Sequence, residues 1–133
     1  MFLDASAMVA MMTAEPEQAA LAAQLAATPI RFTSAIAIWE TTVRIMSKTA
    51  RSNDEANRFV DQFLTMSQVL IIPVGPAEAE LAVSSYARYG KRRHSANLNM
   101  GDCFAYACAK ANAVPLLYIG NDFSQTDVND GFE

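Results

Sequence analysis

Short apolar runs alternate along the chain with longer stretches in which apolar residues recur every three or four positions. The first pattern reads as buried strand, the second as amphipathic helix. Strands are predicted at residues 1–4 (MFLD), Ile30–Thr33, Val69–Val74 (VLIIPV) and Pro115–Ile119 (PLLYI), with the β-branched run at 69–74 fully buried. Helices are predicted over Ala5–Met12, Glu15–Ala27, from a Thr33 or Ser34 cap to about Lys48, Ser52–Ser67, Pro76–Gly90 and Gly101–Asn112. Pro16 suits a first helical turn, Thr28-Pro29 stops the second helix, and Gly90 can end the fifth. In the third helix Ile36, Trp39, Val43 and Met46 mark a buried stripe; in the fourth, Phe59, Phe63 and Met66 point inward. Residues 91–99 (KRRHSANLN) form a polar loop, and GNDFSQTD is a turn-rich exit from the last strand. Continuous apolar strands between helices are the pattern of a parallel α/β sheet covered on both faces. No repeat or linker divides the chain, so 1–133 is expected to be a single domain.

Composition adds limits. The chain has 133 residues, 52% of them apolar and 18% charged, enough to bury a core. Asp4 and the lack of early Lys or Arg argue against a signal peptide. No apolar run reaches the ~20 residues that span a bilayer. A cytoplasmic protein with no membrane contact is the expectation. Cys103 and Cys108 lie five apart on different faces of one predicted helix, which disfavours a disulfide between them. With His94 the only histidine, no Cys/His zinc set can be assembled. A net charge of −4 argues against nucleic-acid binding through the whole surface, but two basic blocks qualify this. They are Arg88, Lys91, Arg92, Arg93 and His94, and Arg44, Lys48 and Arg51. Each is either a solvated helix end or a contact surface for phosphates.

The candidate chemistry lies in four carboxylates flanked by apolar residues near strand-to-helix turns: Asp4, Glu40, Asp102 and Asp122. Parallel sheets collect ligands outside the carboxyl ends of their strands. Acids converging there would repel one another without a hard divalent cation such as Mg²⁺ or Mn²⁺. Each acid also has a local alternative. Asp4 could cap the first helix, Asp102 could complete a capping box with Asn99, Asp122 could form an Asx turn, and Glu40 could pair with Arg44.

The segments MFLDASAMVAMM, TSAIAIWET, LNMGDCFAYACAKANAVPLLY and GNDFSQTD resemble the PIN-domain ribonucleases, specifically VapC-type toxins of bacterial toxin–antitoxin pairs. The resemblance covers nearly the whole chain in order and spacing. It implies a PIN-like three-layer fold, a five-stranded parallel sheet flanked by helices. It also implies an acidic site of Asp4, Glu40 and Asp102, completed by Asp122 or Asn121, holding one or two Mg²⁺ or Mn²⁺ ions. Ser6 matches a small polar residue that hydrogen-bonds within that site. Asp127 matches a family position as well, as a ligand or in a turn. The implied partners are RNA, a second copy in a homodimer, and a VapB-type antitoxin whose C-terminal arm lies along a groove. The methionine-rich first helix (Met8, Met11, Met12) either lines that groove or packs in the core.

The expected activity is metal-dependent endoribonucleolytic hydrolysis, with Asp4 and Asp102 as principal ligands and Glu40 and Asp122 orienting the attacking water. Arg92 and Arg93 are candidates for tracking the RNA backbone. The alternatives are a catalytically silent PIN-fold binding module and a metal-dependent phosphatase. The phosphatase is disfavoured because Ser6 stands where a second aspartate would be needed.

Overall fold

A computed structural model describes residues 1–132. In chain order the elements are β1 (Phe2–Leu3), α1 (Ala5–Met12), α2 (Gln18–Ala26), β2 (Phe32–Ser34), α3 (Ala35–Thr49) and α4 (Asn53–Met66), followed by β3 (Leu70–Ile72), α5 (Pro76–Tyr89), α6 (Met100–Ala111) and β4 (Leu116–Leu117). A 3₁₀ turn at Phe123–Gln125 follows.

The strands pair in parallel in the order β3-β2-β1-β4. Phe2 stands between Phe32 and Leu116, which fixes the register at the centre. The chain thus builds outward from β1 to β3 and then returns to lay β4 on the other side of β1. The order reverses between β1 and β4, and a parallel sheet opens a ligand crevice at such a reversal. Four strands form the sheet among the described residues, where the resemblance implied five. An isolated Gly90–Leu98 bridge is the remaining strand-like pairing.

Local chemistry sets the helix starts. Ser34 caps α3 through the Ala37 amide, and Ser52 and Glu55 form a reciprocal capping box on α4. Gly90 ends α5 in an extended conformation, so it is not needed for a left-handed turn. Its missing side chain matters through space: a Cβ there would stand 2.3 Å from the Tyr86 carbonyl oxygen.

Three expectations about burial fail. The stripe on α3 faces outward, with Trp39 65% exposed and Val43 and Met46 also in solvent. The buried face carries Ala37, Thr41, Thr42 and Ile45 instead. Thr41 and Thr42 bond their hydroxyls to the carbonyls of Ala37 and Ile38, which leaves their methyl groups for close packing. Residues 69–74 are not fully buried either. β3 is an edge strand, and Leu70 and Ile71 are each 60% exposed. On α4 the inward residues are Ala56, Val60 and Leu64; Phe59 and Phe63 are half-buried and Met66 is exposed.

The C-terminal segment closes the opposite edge of the sheet. The side-chain amide of Asn129 accepts from the Leu116 amide at 2.7 Å and donates to the Leu116 carbonyl at 3.0 Å, imitating a neighbouring strand. Asp127 receives hydrogen bonds from Tyr106 and Arg88, and its carbonyl takes Lys110. It therefore anchors the tail to α5 and α6. Cys103 and Cys108 are buried free thiols. Among the described residues no helix is long and apolar enough to cross a membrane.

Candidate active site

Asp4 leaves β1 and caps α1, and it is only 5% exposed. Ser6 donates to its Oδ2 twice, from the amide at 3.0 Å and the hydroxyl at 2.5 Å. The same Ser6 hydroxyl accepts from the Ile119 amide at 3.0 Å, tying the first acid to the exit of β4. Among the described residues no fully buried polar side-chain atom lacks a partner. Burial pushes the Asp4 carboxyl above the usual carboxylate range, against the pull of the Ser6 hydrogen bonds and the Arg44 charge.

Glu40 projects from the second turn of α3 and is half-buried. It packs on the start of α6, where a Cβ on Gly101 would stand 2.3 Å from both of its carboxylate oxygens. Glycine is required there for close approach, not for backbone conformation. Burial raises the Glu40 carboxyl to about 7; the charges of Asp4 and Asp102 add to the rise and Arg44 opposes it.

Asp102 sits in the first turn of α6, and its expected local role is real. Its Oδ2 accepts the Asn99 amide at 3.0 Å while the Asn99 side chain accepts the Asp102 amide at 2.9 Å. Capping occupies one oxygen and leaves Oδ1 without a protein partner. Burial lifts this carboxyl to about 6; the Asn99 hydrogen bond opposes it, while Asp4 and Asp122 raise it further. Capping and membership of an acid cluster therefore coexist in one residue.

Asp122 is exposed at the head of the 3₁₀ turn, and its side chain makes no capping bond. Its charge reaches Asp102, which places it on the rim of the cluster. Asn121, also exposed, is occupied through its carbonyl, which accepts from Ser124 and Gln125.

The fold brings Asp4, Glu40 and Asp102 into mutual electrostatic reach at the β1/β4 reversal, with Asp122 beside them. They stand apart, however. Among the described residues no three acidic, thiol or imidazole side chains make a ready-made metal-binding group. Burial raises all three carboxyls, and neighbouring carboxylates add to the rise at Glu40 and Asp102.

The basic loop is not part of the cluster. Arg92 and Arg93 are exposed, and Arg93 lies over the Tyr86 ring at 5.2 Å. The cation whose charge acts on all three acids is Arg44, one helical turn beyond Glu40. Sequence reasoning grouped Arg44 with Lys48 and Arg51. It also overlooked Gly101. The signal for both was the spacing: Arg44 is four residues from Glu40, and Gly101 precedes Asp102.

A parallel α/β sheet with acids gathered at its topological reversal defines a class of ligand-binding α/β proteins in which oxygen-donor side chains line the crevice. The model of the PIN domain matches residues 1–129. Over 96% of its length the chain is 41% identical to Ribonuclease VapC of Mycolicibacterium smegmatis, covering 97% of that protein. It is 39% identical to Ribonuclease VapC30 of Mycobacterium tuberculosis, covering 95% of that protein. The chain belongs to the PIN-domain family, in its VapC ribonuclease branch. The solved structure of M. tuberculosis VapC20, a sarcin–ricin loop cleaving toxin, superposes with a TM-score of 0.69 over 92% of each chain. At 16% identity that likeness carries the fold alone.

Proposed function

We infer that this protein is the endoribonuclease toxin of a type II toxin–antitoxin pair and that it hydrolyses RNA phosphodiester bonds with Mg²⁺ or Mn²⁺. The observation that carries the reading is the acid cluster around the buried Asp4 at the sheet reversal, in a chain aligned end to end with VapC ribonucleases.

The donor set fits a hard divalent cation. All of its groups are carboxylates, and a carboxylate as buried as Asp4 needs a counter-charge that no ion pair supplies. Asp4 and Asp102 would hold the ion through the oxygens their hydrogen bonds leave free, with Glu40 and Asp122 completing the set. When bound, the ion supplies Lewis acidity, acidifying water and offsetting charge that builds on the phosphate. Ser6 and Asn99 hold the two aspartates in place by hydrogen bonds fixed in the fold. Glu40, titrating near neutrality in the protein alone, orients the attacking water and is the acid best matched to take its proton. Attack on phosphorus with loss of the 3′ oxygen leaves a 3′-hydroxyl and a 5′-phosphate. His94 takes no part: it is exposed on the loop, and its Nδ1 accepts the Ala96 amide.

The partners are RNA, a VapB-type antitoxin and a second copy of the chain, and the compartment is the cytoplasm. The apolar surface of Trp39, Val43, Met46 and Ile71, around a hollow of about 550 Å³, supports self-association. Met8 is in the core, whereas Met11 lines a separate hollow of about 480 Å³ with Leu25, Phe63 and Met66 that suits an antitoxin segment.

The test is end-mapping of cellular RNA after induction of the wild type and of Asp4→Ala. Discrete new 5′-phosphate ends in the wild type alone are expected. Identical end profiles in both would defeat the reading.

A further inference from the structure

Glu40 and Arg44 have the spacing at which helices commonly form a surface ion pair. They do not form it. Glu40 is drawn instead onto the start of α6, against Gly101. The ion pairs among the described residues join Lys48 to Glu15, and Arg88 and Lys110 to Asp127; none includes Arg44. Arg44 is exposed, so its guanidinium stays in water with all of its donors free of protein acceptors. Its neighbours fix where it stands. Thr41 and Ile45 are fully buried, and the exposed Arg44 stands one helical turn beyond Glu40 on α3.

We propose that Arg44 is a substrate-binding residue that clamps the non-bridging oxygens of an RNA phosphate at the acid site. The proposal rests on the ribonuclease reading above and adds a residue to it. A phosphodiester is an anion, and the crevice it must enter is lined by carboxylates that repel it. A fixed cation on the rim lowers that barrier for every RNA sequence, whatever base follows. The guanidinium fork matches two phosphate oxygens, which a lysine ammonium cannot do in the same plane. Because Arg44 is not engaged with a protein carboxylate, no ion pair has to break before it binds.

The other cations are less suited. Arg88 is held by Asp127, and Arg93 lies over Tyr86. Arg44 is the one whose field reaches Asp4, Glu40 and Asp102 together.

The test compares wild type, Arg44→Gln and Arg44→Lys. The probe is a fluorescein-labelled single-stranded RNA of mixed sequence, with Ca²⁺ in place of Mg²⁺ so that binding is read without cutting. Arg44→Gln should weaken binding about tenfold, since a charge-assisted contact is lost. It should also reduce the salt slope by about 0.7, one phosphate contact on a single strand. Arg44→Lys should restore the slope but not the full affinity, and all three chains should keep a cooperative melting transition. With Mg²⁺ restored, Arg44→Gln should cut more slowly than wild type. If the wild type cuts RNA and Arg44→Gln binds and cuts equally well, the role of Arg44 is overturned and the ribonuclease reading stands. Loss of melting temperature with no change in RNA affinity overturns it too, since Arg44 would then be only a structural counter-charge. A wild type that fails to cut any cellular RNA overturns the ribonuclease reading, and the clamp with it.

Discussion

Asp102 joins two functions that pull in different directions. Its carboxylate caps α6 through Asn99, and its charge crowds Asp4 and Asp122. Two substitutions separate these effects. Asp102→Asn keeps an acceptor for the Asn99 amide and removes the charge, so metal-free melting should rise by a few degrees while cleavage falls at least about a hundredfold. Asp102→Ala removes the cap as well and should lower metal-free melting, by about 1 kcal/mol of lost capping. No rise in Asp102→Asn, with the fall confined to Asp102→Ala, would show that crowding contributes nothing. The same crowding sets the pH dependence. Glu40 and Asp102 titrate near 7 and 6 in the folded chain against 4.5 and 3.8 as free groups, so the folded state binds more protons across that window. Stability of the metal-free protein should therefore fall as pH rises from about 4 to about 7, and a divalent cation should reverse the loss. Calorimetric melting at pH 5.5 and 8, with chelator and with Mg²⁺, reads both effects. The acids were legible in the sequence because carboxylates among apolar residues at strand ends are costly to place without a purpose. Arg44 was legible only within a basic block that could contact phosphates, or as the partner of Glu40; the turn of Glu40 onto Gly101, which leaves that pair unmade, was not.

The helix boundaries were readable from caps and breakers, and α4 and α6 begin where Ser52 and Asn99 dictate. Which face of α3 lies inside was not. Apolar periodicity selected Ile36, Trp39, Val43 and Met46, whereas packing selected the smaller Ala37, Thr41 and Thr42 with Ile45. Threonine is polar by composition, yet it becomes core material once its hydroxyl bonds the helix backbone. Close packing of α3 against its neighbours also explains Gly101. Gly101→Ala should leave the fold intact, since the obstructing atoms are the end of a flexible side chain, but it should push Glu40 off α6. Melting within about 0.5 kcal/mol of wild type, with cleavage reduced at least about tenfold, is the expected pair of results. Unchanged cleavage would mean that the position of Glu40 against α6 is irrelevant to the reaction.

The parallel sheet with its helical cover followed from the alternation of apolar runs and amphipathic stretches. So did its four strands, each at or beside the run that predicted it; the fifth was implied by the resemblance alone. Edge position was hidden: residues 69–74 carry the composition of a central strand but lie at the rim of the sheet. Their exposure makes sense if another chain covers them. If this edge carries the proposed self-association, Ile71→Lys should leave a monomer in sedimentation with the fold unchanged, since the side chain it replaces is already 60% exposed. A dimer that survives the substitution would move the self-contact elsewhere. The acid crevice is the feature on which the whole molecule converges, with β1, α3, α6 and the exit of β4 each delivering one carboxylate. Calorimetric titration of Mn²⁺ at neutral pH into wild type, Asp4→Asn, Glu40→Gln and Asp102→Asn tests that convergence most directly. Saturable binding in the wild type, weakened at least about tenfold in each variant, is the predicted result. Equal affinity in all four proteins, or none in the wild type, would contradict it.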